Sequence, residues 1–257
     1  ASHRVRIKEF IMATIYKPTG KAGEYSTWAC NLYNGCSNNC SYCFNNHSIM
    51  SKTLGGTNVR LKKPLIDEKT AFQIFQKELD KSKDDIIKDG GLHFNFVSDP
   101  CLPQTLHLNW TCITYAISLG VPCQVLTKRA DWLNSSFVQY ALSQKDLIRV
   151  GFSLTGCNDL EPGASTNEER INAMQSLYKN GISTWASIEP IIEPNKSLEM
   201  VAKTVTFCDH FKIGLLSGKK NYTPQDIRHF IKNVESLHPK SVYWKQSIYE
   251  FIKGHYD

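Results

Sequence analysis

Three cysteines, Cys36, Cys40 and Cys43, fall within the run Asn31-Leu32-Tyr33-Asn34-Gly35-Cys36-Ser37-Asn38-Asn39-Cys40-Ser41-Tyr42-Cys43. Thiolates this close in sequence converge on one metal centre only if the backbone wraps around it. Gly35 and the neighbouring asparagines give the loop that freedom. Two kinds of centre suit the spacing. Three thiolates can each take one iron of a four-iron, four-sulfur cubane, leaving the fourth iron without a protein ligand and open to a small molecule. Alternatively, His47 completes a C-x3-C-x2-C-x3-H set for tetrahedral zinc, as in a nucleic-acid-binding module. A small zinc module is normally self-contained, whereas this loop opens a long chain with no second metal half-site after it. That context favours the cluster.

The remaining composition fits a reduced, soluble protein. Nine cysteines is an odd number, and Cys30, Cys101, Cys112, Cys123, Cys157 and Cys208 show no paired spacing, which disfavours a disulfide framework and points to the cytoplasm. No signal peptide is apparent and no apolar run approaches the roughly 20 residues that span a bilayer, so no membrane role is expected. The start Ala1-Ser2-His3 lacks an initiator methionine and is set aside. With 257 residues, 41% of them apolar, the chain can bury a full core. The net charge of +6 and pI near 8.8 fit an anionic partner such as nucleic acid, but the basic residues are dispersed rather than gathered in a patch.

The elements that must position the loop follow from periodicity. Strands are expected at 27–32, 92–97, 124–127, 148–154, 183–188 and 210–215. Helical stripes follow them: Phe72, Phe75, Leu79 and Ile86; Leu106, Trp110, Ile113 and Ile117; Leu133, Phe137, Tyr140 and Ala141. In the next helix Thr166 and Glu169 form a capping box ahead of Ile171, Met174, Leu177 and Tyr178, and Gly181 ends it. Further helices are expected near 197–207 and from Thr223 and Pro224 through Ile227, Phe230, Ile231 and Val234. Strands alternating with helices require a parallel sheet, because each helix is the crossover back to the same edge. Six such units in this length make an α/β fold, a partial (β/α)6 TIM-type barrel, as one domain over 1–257 with its core from about 25 to 238.

The pattern C-x3-C-x2-C with an aromatic before the last cysteine resembles the signature of the radical S-adenosylmethionine superfamily. Further matches, from about residue 31 to 194, resemble its spore photoproduct lyase-like branch: Ser98-Asp99-Pro100, Leu126-Thr127-Lys128-Arg129, Ser153, Leu160-Glu161-Pro162-Gly163-Ala164 with Arg170, Gly181-Ile182 and Pro190-Ile191-Ile192. The chain departs from the branch pattern at Leu32, where proline is usual, at Phe44 in place of tyrosine, and at Cys101, where tyrosine is usual. The resemblance implies a [4Fe-4S] cluster on Cys36, Cys40 and Cys43 that reductively cleaves S-adenosyl-L-methionine to a 5′-deoxyadenosyl radical. It also implies Tyr42 beside the adenine, and Ser98, Lys128 and Ser153 holding the ribose, carboxylate or amino group, with Asp99 in the same cofactor-binding set. A zwitterionic ligand needs a cation for its carboxylate and acceptors for its ammonium.

Each of these residues also has a plainer reading. Ser98 or Asp99 could cap the following helix, and Lys128 could be a surface charge. Glu189, at the end of the fifth strand, touches cofactor or substrate, or else pairs with Arg129 or Lys128. Cys101 is the candidate hydrogen-atom donor of a lyase-like reaction, or a small buried residue. The resemblance implies flavodoxin or ferredoxin as electron donor. The substrate class stays open among nucleic acid, peptide and small molecule, and the aromatics of the stretch 241–256 could stack on bases or simply serve as core or lid.

Overall fold

The computed structural model describes residues 13–47 and 51–253. By contacts the chain forms two compact units, neither continuous in sequence. The first takes residues up to Asn39, Cys43–Val125 and Trp132–Ile148, and the second Cys40–Tyr42, Leu126–Asp131 and the chain from Arg149 onward.

In the first unit the strands β1 (Ile15–Tyr16), β2 (Trp28–Cys30), β5 (Leu92–Phe94) and β6 (Cys123–Thr127, which leaves the unit after Val125) are hydrogen-bonded in that order. β2, β5 and β6 are parallel and β1 runs antiparallel on the edge of β2. A separate antiparallel ribbon joins β3 (Tyr33–Asn34) to β4 (Arg60–Leu61), on either side of the short helices α1 (Phe44–His47) and α2 (Ser51–Leu54). The crossover from β2 to β5 runs through α3 (Glu68–Lys88). Asp67 caps it by accepting from the Thr70 amide, and it buries Ala71, Phe75, Leu79 and Ile86, close to the stripe the sequence predicts. From the same helix the Glu78 carboxylate accepts from the Thr14 and Ile15 amides at 2.9 and 2.8 Å, so donors of the edge strand are satisfied by a side chain. α4 (Leu106–Ser118) buries Leu106, Trp110, Ile113 and Ile117 as expected.

The next expected helix is corrected. Leu133, Tyr140 and Ala141 do not form one buried helical stripe, and the Phe137 side chain lies outside the described residues: a single 3-10 turn at Ser136–Val138 leads into the five-residue helix α5 (Gln139–Ser143), and Tyr140 is exposed. The Asn134-Ser135-Ser136 run favours turns over helix. Trp132 takes the buried place instead, its ring 4.8 Å from that of Trp110.

The second unit is built on four parallel strands in order: β7 (Ile148–Ser153), β8 (Ser183–Ile191), β9 (His210–Leu215) and β10 (Val242–Trp244). Their registers put Val150, Phe152, Ala186, Ile188, Phe211 and Ile213 on one face, all fully buried. The connecting helices supply matching stripes. α6 (Asn167–Lys179) begins with the Thr166–Glu169 capping box, α7 (Pro194–Thr204) has proline in its first turn, and α8 (Pro224–Ser236) carries a second capping box between Thr223 and Asp226. β10 adds a parallel strand beyond the six expected ones: Val-Tyr-Trp, in a stretch legible only as aromatic, pairs with Phe211, Lys212 and Ile213 and leads into α9 (Gln246–Lys253). The register of β8 with β9 shifts between Ile188 and Ile191, where Pro190 has no N–H to give. Among the described residues, no helix is long and apolar enough to cross a membrane.

The opposite face of β7 and β8 shows why Gly151 is glycine. It stands in register with Trp185, and a Cβ on it would lie 2.2 Å from the indole. Gly151→Ala is expected to destabilise the protein by about 1–3 kcal/mol, read from the urea midpoint. An unchanged midpoint would show that the indole does not lie across this position.

Candidate functional site

In parallel α/β folds the chemistry gathers at the C-terminal ends of strands. The residues singled out from the sequence follow or end a strand, apart from the cysteine loop that follows the β3 ribbon strand.

In the first unit the segment after β5 holds the cysteine loop through two buried asparagines. Asn38 donates to Asp99 Oδ2 at 2.8 Å, and Asn45 donates to the Val97 carbonyl at 2.6 Å. The other Asp99 oxygen accepts from the Cys101 amide at 2.9 Å, and its carbonyl accepts from the Thr105 hydroxyl at 2.6 Å. Asp99 therefore caps a turn over Cys101 and ties down the loop. It does not cap the helix, which begins seven residues later at Leu106. Cys36 and Cys43 are half-buried, and the Cys36 amide donates to the Gly56 carbonyl at 2.9 Å. At φ +79° Gly35 occupies a conformation that suits glycine, and a Cβ there would lie 2.1 Å from the Asn58 carbonyl oxygen. Cys101 is buried. Ser98 is 7% exposed and its hydroxyl has no hydrogen-bond partner, an arrangement that costs stability until something fills it.

In the second unit the centre is a residue the sequence marked only as part of a matched motif. The Glu161 side chain has no exposed surface. It accepts from the Tyr42 hydroxyl, forms an ion pair with Arg170, whose side chain is equally enclosed, and stands 3.7 Å from Lys128 Nζ. Arg170 spends its other donors on the Ser153 carbonyl at 2.5 Å and the Ser165 carbonyl at 2.9 Å. The Ser41 amide donates to the Leu160 carbonyl at 2.9 Å, fixing the backbone before Tyr42. Lys128 Nζ lies 5.8 Å from the Tyr42 ring centroid. Burial pushes the Glu161 carboxyl up, but the charges of Lys128 and Arg170 and the hydrogen bonds from Tyr42 and Arg170 outweigh it and hold its pKa below the usual range. Burial, reinforced by the Glu161 charge, raises the Tyr42 phenol well above its ordinary value.

Tyr42, Lys128 and Ser153, scattered in sequence, are thus gathered by Glu161 and Arg170. Lys128 is no loose surface charge, with its side chain 14% exposed. Glu189, for which Arg129 or Lys128 was the expected ion-pair partner if it does not touch cofactor or substrate, forms an ion pair with Lys245, at 2.6 Å and 1% exposed, just past β10. A Cβ on Gly214 would meet both members of that pair at 2.8 Å. Arg129 instead binds Asp131 and the Gly163 carbonyl. Lys245 was invisible in sequence because β10 itself was. Glu161 and Arg170 belong to the matched set Leu160-Glu161-Pro162-Gly163-Ala164 with Arg170, which marked both without showing that they pair.

All nine cysteines are thiols. Burial pushes Cys30, Cys112 and Cys123 upward and Cys208 to about 12, so these keep their protons and make poor ligands. Among the described residues no three His, Cys, Asp or Glu side chains stand together around one metal ion. A cubane asks for something different, since each thiolate takes its own iron. The zinc alternative depends on His47, whose side chain lies outside the described residues. The three cysteines of the loop are a donor set that suits an iron–sulfur cluster. In the first unit the unfilled Ser98 hydroxyl, and separately in the second the Lys128 cation, each suit a polar or anionic ligand group.

No protein-family model matches the chain. The uncharacterised protein MJ0683 of Methanocaldococcus jannaschii is 28% identical over 217 residues, covering 82% of this chain and 76% of that protein. Among solved structures, a spore photoproduct lyase variant with bound AdoMet and dinucleoside spore photoproduct aligns with a TM-score of 0.60 and 17% identity over 88% of this chain. A second variant of that lyase gives 0.62 and 16% over 90% of this chain and 79% of its own. Streptococcus suis SuiB bound to S-adenosylmethionine gives 0.58 and 15% over 80% of this chain. The chain spans 64% of the first lyase structure and 47% of SuiB. These likenesses show the fold, an α/β partial barrel.

A folded-state pKa held below its unfolded value contributes stability that is fully present above the unfolded value, about 4.3 for glutamate, and is lost as pH falls from there through the folded value. Glu161→Gln leaves the enclosed Arg170 without its counter-charge and is expected to cost about 3–5 kcal/mol at pH 7. In denaturant titrations the gap to the unsubstituted protein should narrow as pH drops below about 4. A gap independent of pH would show that the Glu161 charge is not what is lost.

Proposed function

We propose that this chain is a radical S-adenosylmethionine enzyme. The observation that carries the reading is the convergence of Tyr42, Lys128 and Ser153 on the Glu161–Arg170 pair: residues implied for one ligand by separate motifs are held by one buried network. A [4Fe-4S] cluster and S-adenosylmethionine, when bound, would supply a 5′-deoxyadenosyl radical able to take a hydrogen atom from a substrate.

The chain's own residues have separable tasks in this reading. Cys36, Cys40 and Cys43 are the cluster ligands. Lys128 offers a cation to the methionine carboxylate, and Ser98 and Ser153 offer polar contacts to the rest of the ligand. Tyr42 presents its ring to the adenine while its hydroxyl is anchored on Glu161. Asp99 acts mainly by holding Asn38 of the cysteine loop. Glu189, paired with Lys245, stands at the end of β8 on the substrate side. The burial of Cys101 fits a packing role as well as it fits hydrogen-atom donation, and the donor role is kept as the lyase-like variant of the reading. A flavodoxin or ferredoxin would provide the electron. Nucleic acid is the favoured substrate class, because the lyase variants of the same fold include one with bound dinucleoside spore photoproduct, and a net charge of +6 suits such a partner.

Protein purified and reconstituted with iron and sulfide under anaerobic conditions should be brown and, with dithionite and S-adenosylmethionine, should release 5′-deoxyadenosine. Changing Cys36, Cys40 and Cys43 together to Ala should abolish both colour and product. A colourless protein that holds zinc and releases no 5′-deoxyadenosine would replace the enzyme reading with the binding module.

A further inference from the structure

Glu161 joins side chains that arrive from three separate stretches of the chain, Tyr42, Lys128 and Arg170. Its carboxylate has no exposed surface and is fully occupied by Tyr42, Arg170 and Lys128. We propose that Glu161 is a positioning residue for Lys128, holding the ammonium in place before S-adenosylmethionine arrives. The inference rests on the enzyme reading above and adds to it the cause of the site's preorganisation.

Lysine is a flexible point charge on a four-carbon stem, and fixing it at a ligand carboxylate costs side-chain entropy. Three observations show that this chain fixes it in advance. The Lys128 ammonium is bracketed by the Glu161 carboxylate at 3.7 Å and the face of Tyr42 at 5.8 Å. The Lys128 carbonyl accepts from the Ser165 amide at 3.0 Å, so its backbone is tied to the turn that leads into α6. Glu161 cannot drift to follow the lysine, because Arg170 clamps it from the other side and is itself pinned to the ends of β7 and of that turn.

The ion pair is also the weakest of the contacts Glu161 makes. At 3.7 Å the ammonium lies outside ordinary hydrogen-bond range, whereas Arg170 and the Tyr42 hydroxyl are bound directly. An ammonium carries three N–H donors, and Glu161 sets the position of this one by charge rather than by a direct hydrogen bond.

The test is a double-mutant cycle read by equilibrium binding of radiolabelled S-adenosylmethionine to cluster-loaded protein, so that turnover is not needed. Lys128→Gln and Glu161→Gln should each weaken binding at least tenfold, with iron and sulfide content and circular dichroism unchanged. Because Glu161 acts through Lys128, the double variant should bind no worse than Lys128→Gln alone, a non-additivity that a merely structural loss would not give. Glu161→Asp, which keeps the charge, should fall between. If Glu161→Gln fails to fold, the Glu161→Asp variant, which draws the charge back from Lys128, should still weaken binding severalfold, an effect absent once Lys128 is Gln. Unchanged affinity in Glu161→Gln, or in Glu161→Asp where that variant stands in for it, would overturn the proposal, as would losses that multiply in the double variant. Failure of the unsubstituted protein to bind S-adenosylmethionine would overturn the enzyme reading itself, which separates the two failures.

Discussion

The second unit depends on an ion pair with no exposed surface, Glu161 with Arg170. Taking two charges out of water costs several kcal/mol per ion, repaid only when geometry is good and the remaining donors and lone pairs are filled. Here they are filled from the surroundings that matter: the end of β7 through Ser153, the turn before α6 through Ser165, the Tyr42 hydroxyl and the Lys128 ammonium. A hydrophobic pair of the same volume could fill the space, but it could not dictate where a phenol and an ammonium point. The pair is better understood as fixing direction than as adding stability.

In the first unit a second economy of the same kind is built from neutral groups. Asn38 and Asn45, flanking residues of the cysteine loop, reach the segment after β5 and bind it through the Asp99 carboxylate and the Val97 carbonyl. A loop rich in Asn and Gly has little apolar surface to bury and cannot be held by packing. Directional hydrogen bonds from buried amides do it instead. The same loop residues that look like freedom in the sequence are, once folded, the means of restraint.

Much of the fold was legible because α/β crossovers leave a double record, a short β-branched run and then a long amphipathic one. The capping boxes at Thr166 and Thr223 mark helix starts that the structure keeps. Legibility failed where a segment was too short to show a period. β10 is three residues long and its identity as a strand comes from pairing with β9, and the stretch around Leu133 and Tyr140 lost its stripe because Trp132 claimed the buried position beside Trp110. The Lys245 partner of Glu189 was illegible for the same reason, since it arrives beside β8 only through the pairing of β10 with β9.

By itself, the sequence determined the types of group available for chemistry and the order in which they are delivered: three closely spaced thiols, a serine and aspartate after one strand, a lysine after the next, a serine ending the one after. It could do so because ligand chemistry depends on residue type and spacing, both of which are local. Only the tertiary structure decided which of those groups act on one another. That Glu161 gathers Tyr42 and Lys128, that Asp99 serves the loop rather than the helix, and that Lys245 neutralises Glu189 follow from strand register and burial, and these exist only when distant segments share one low-dielectric interior.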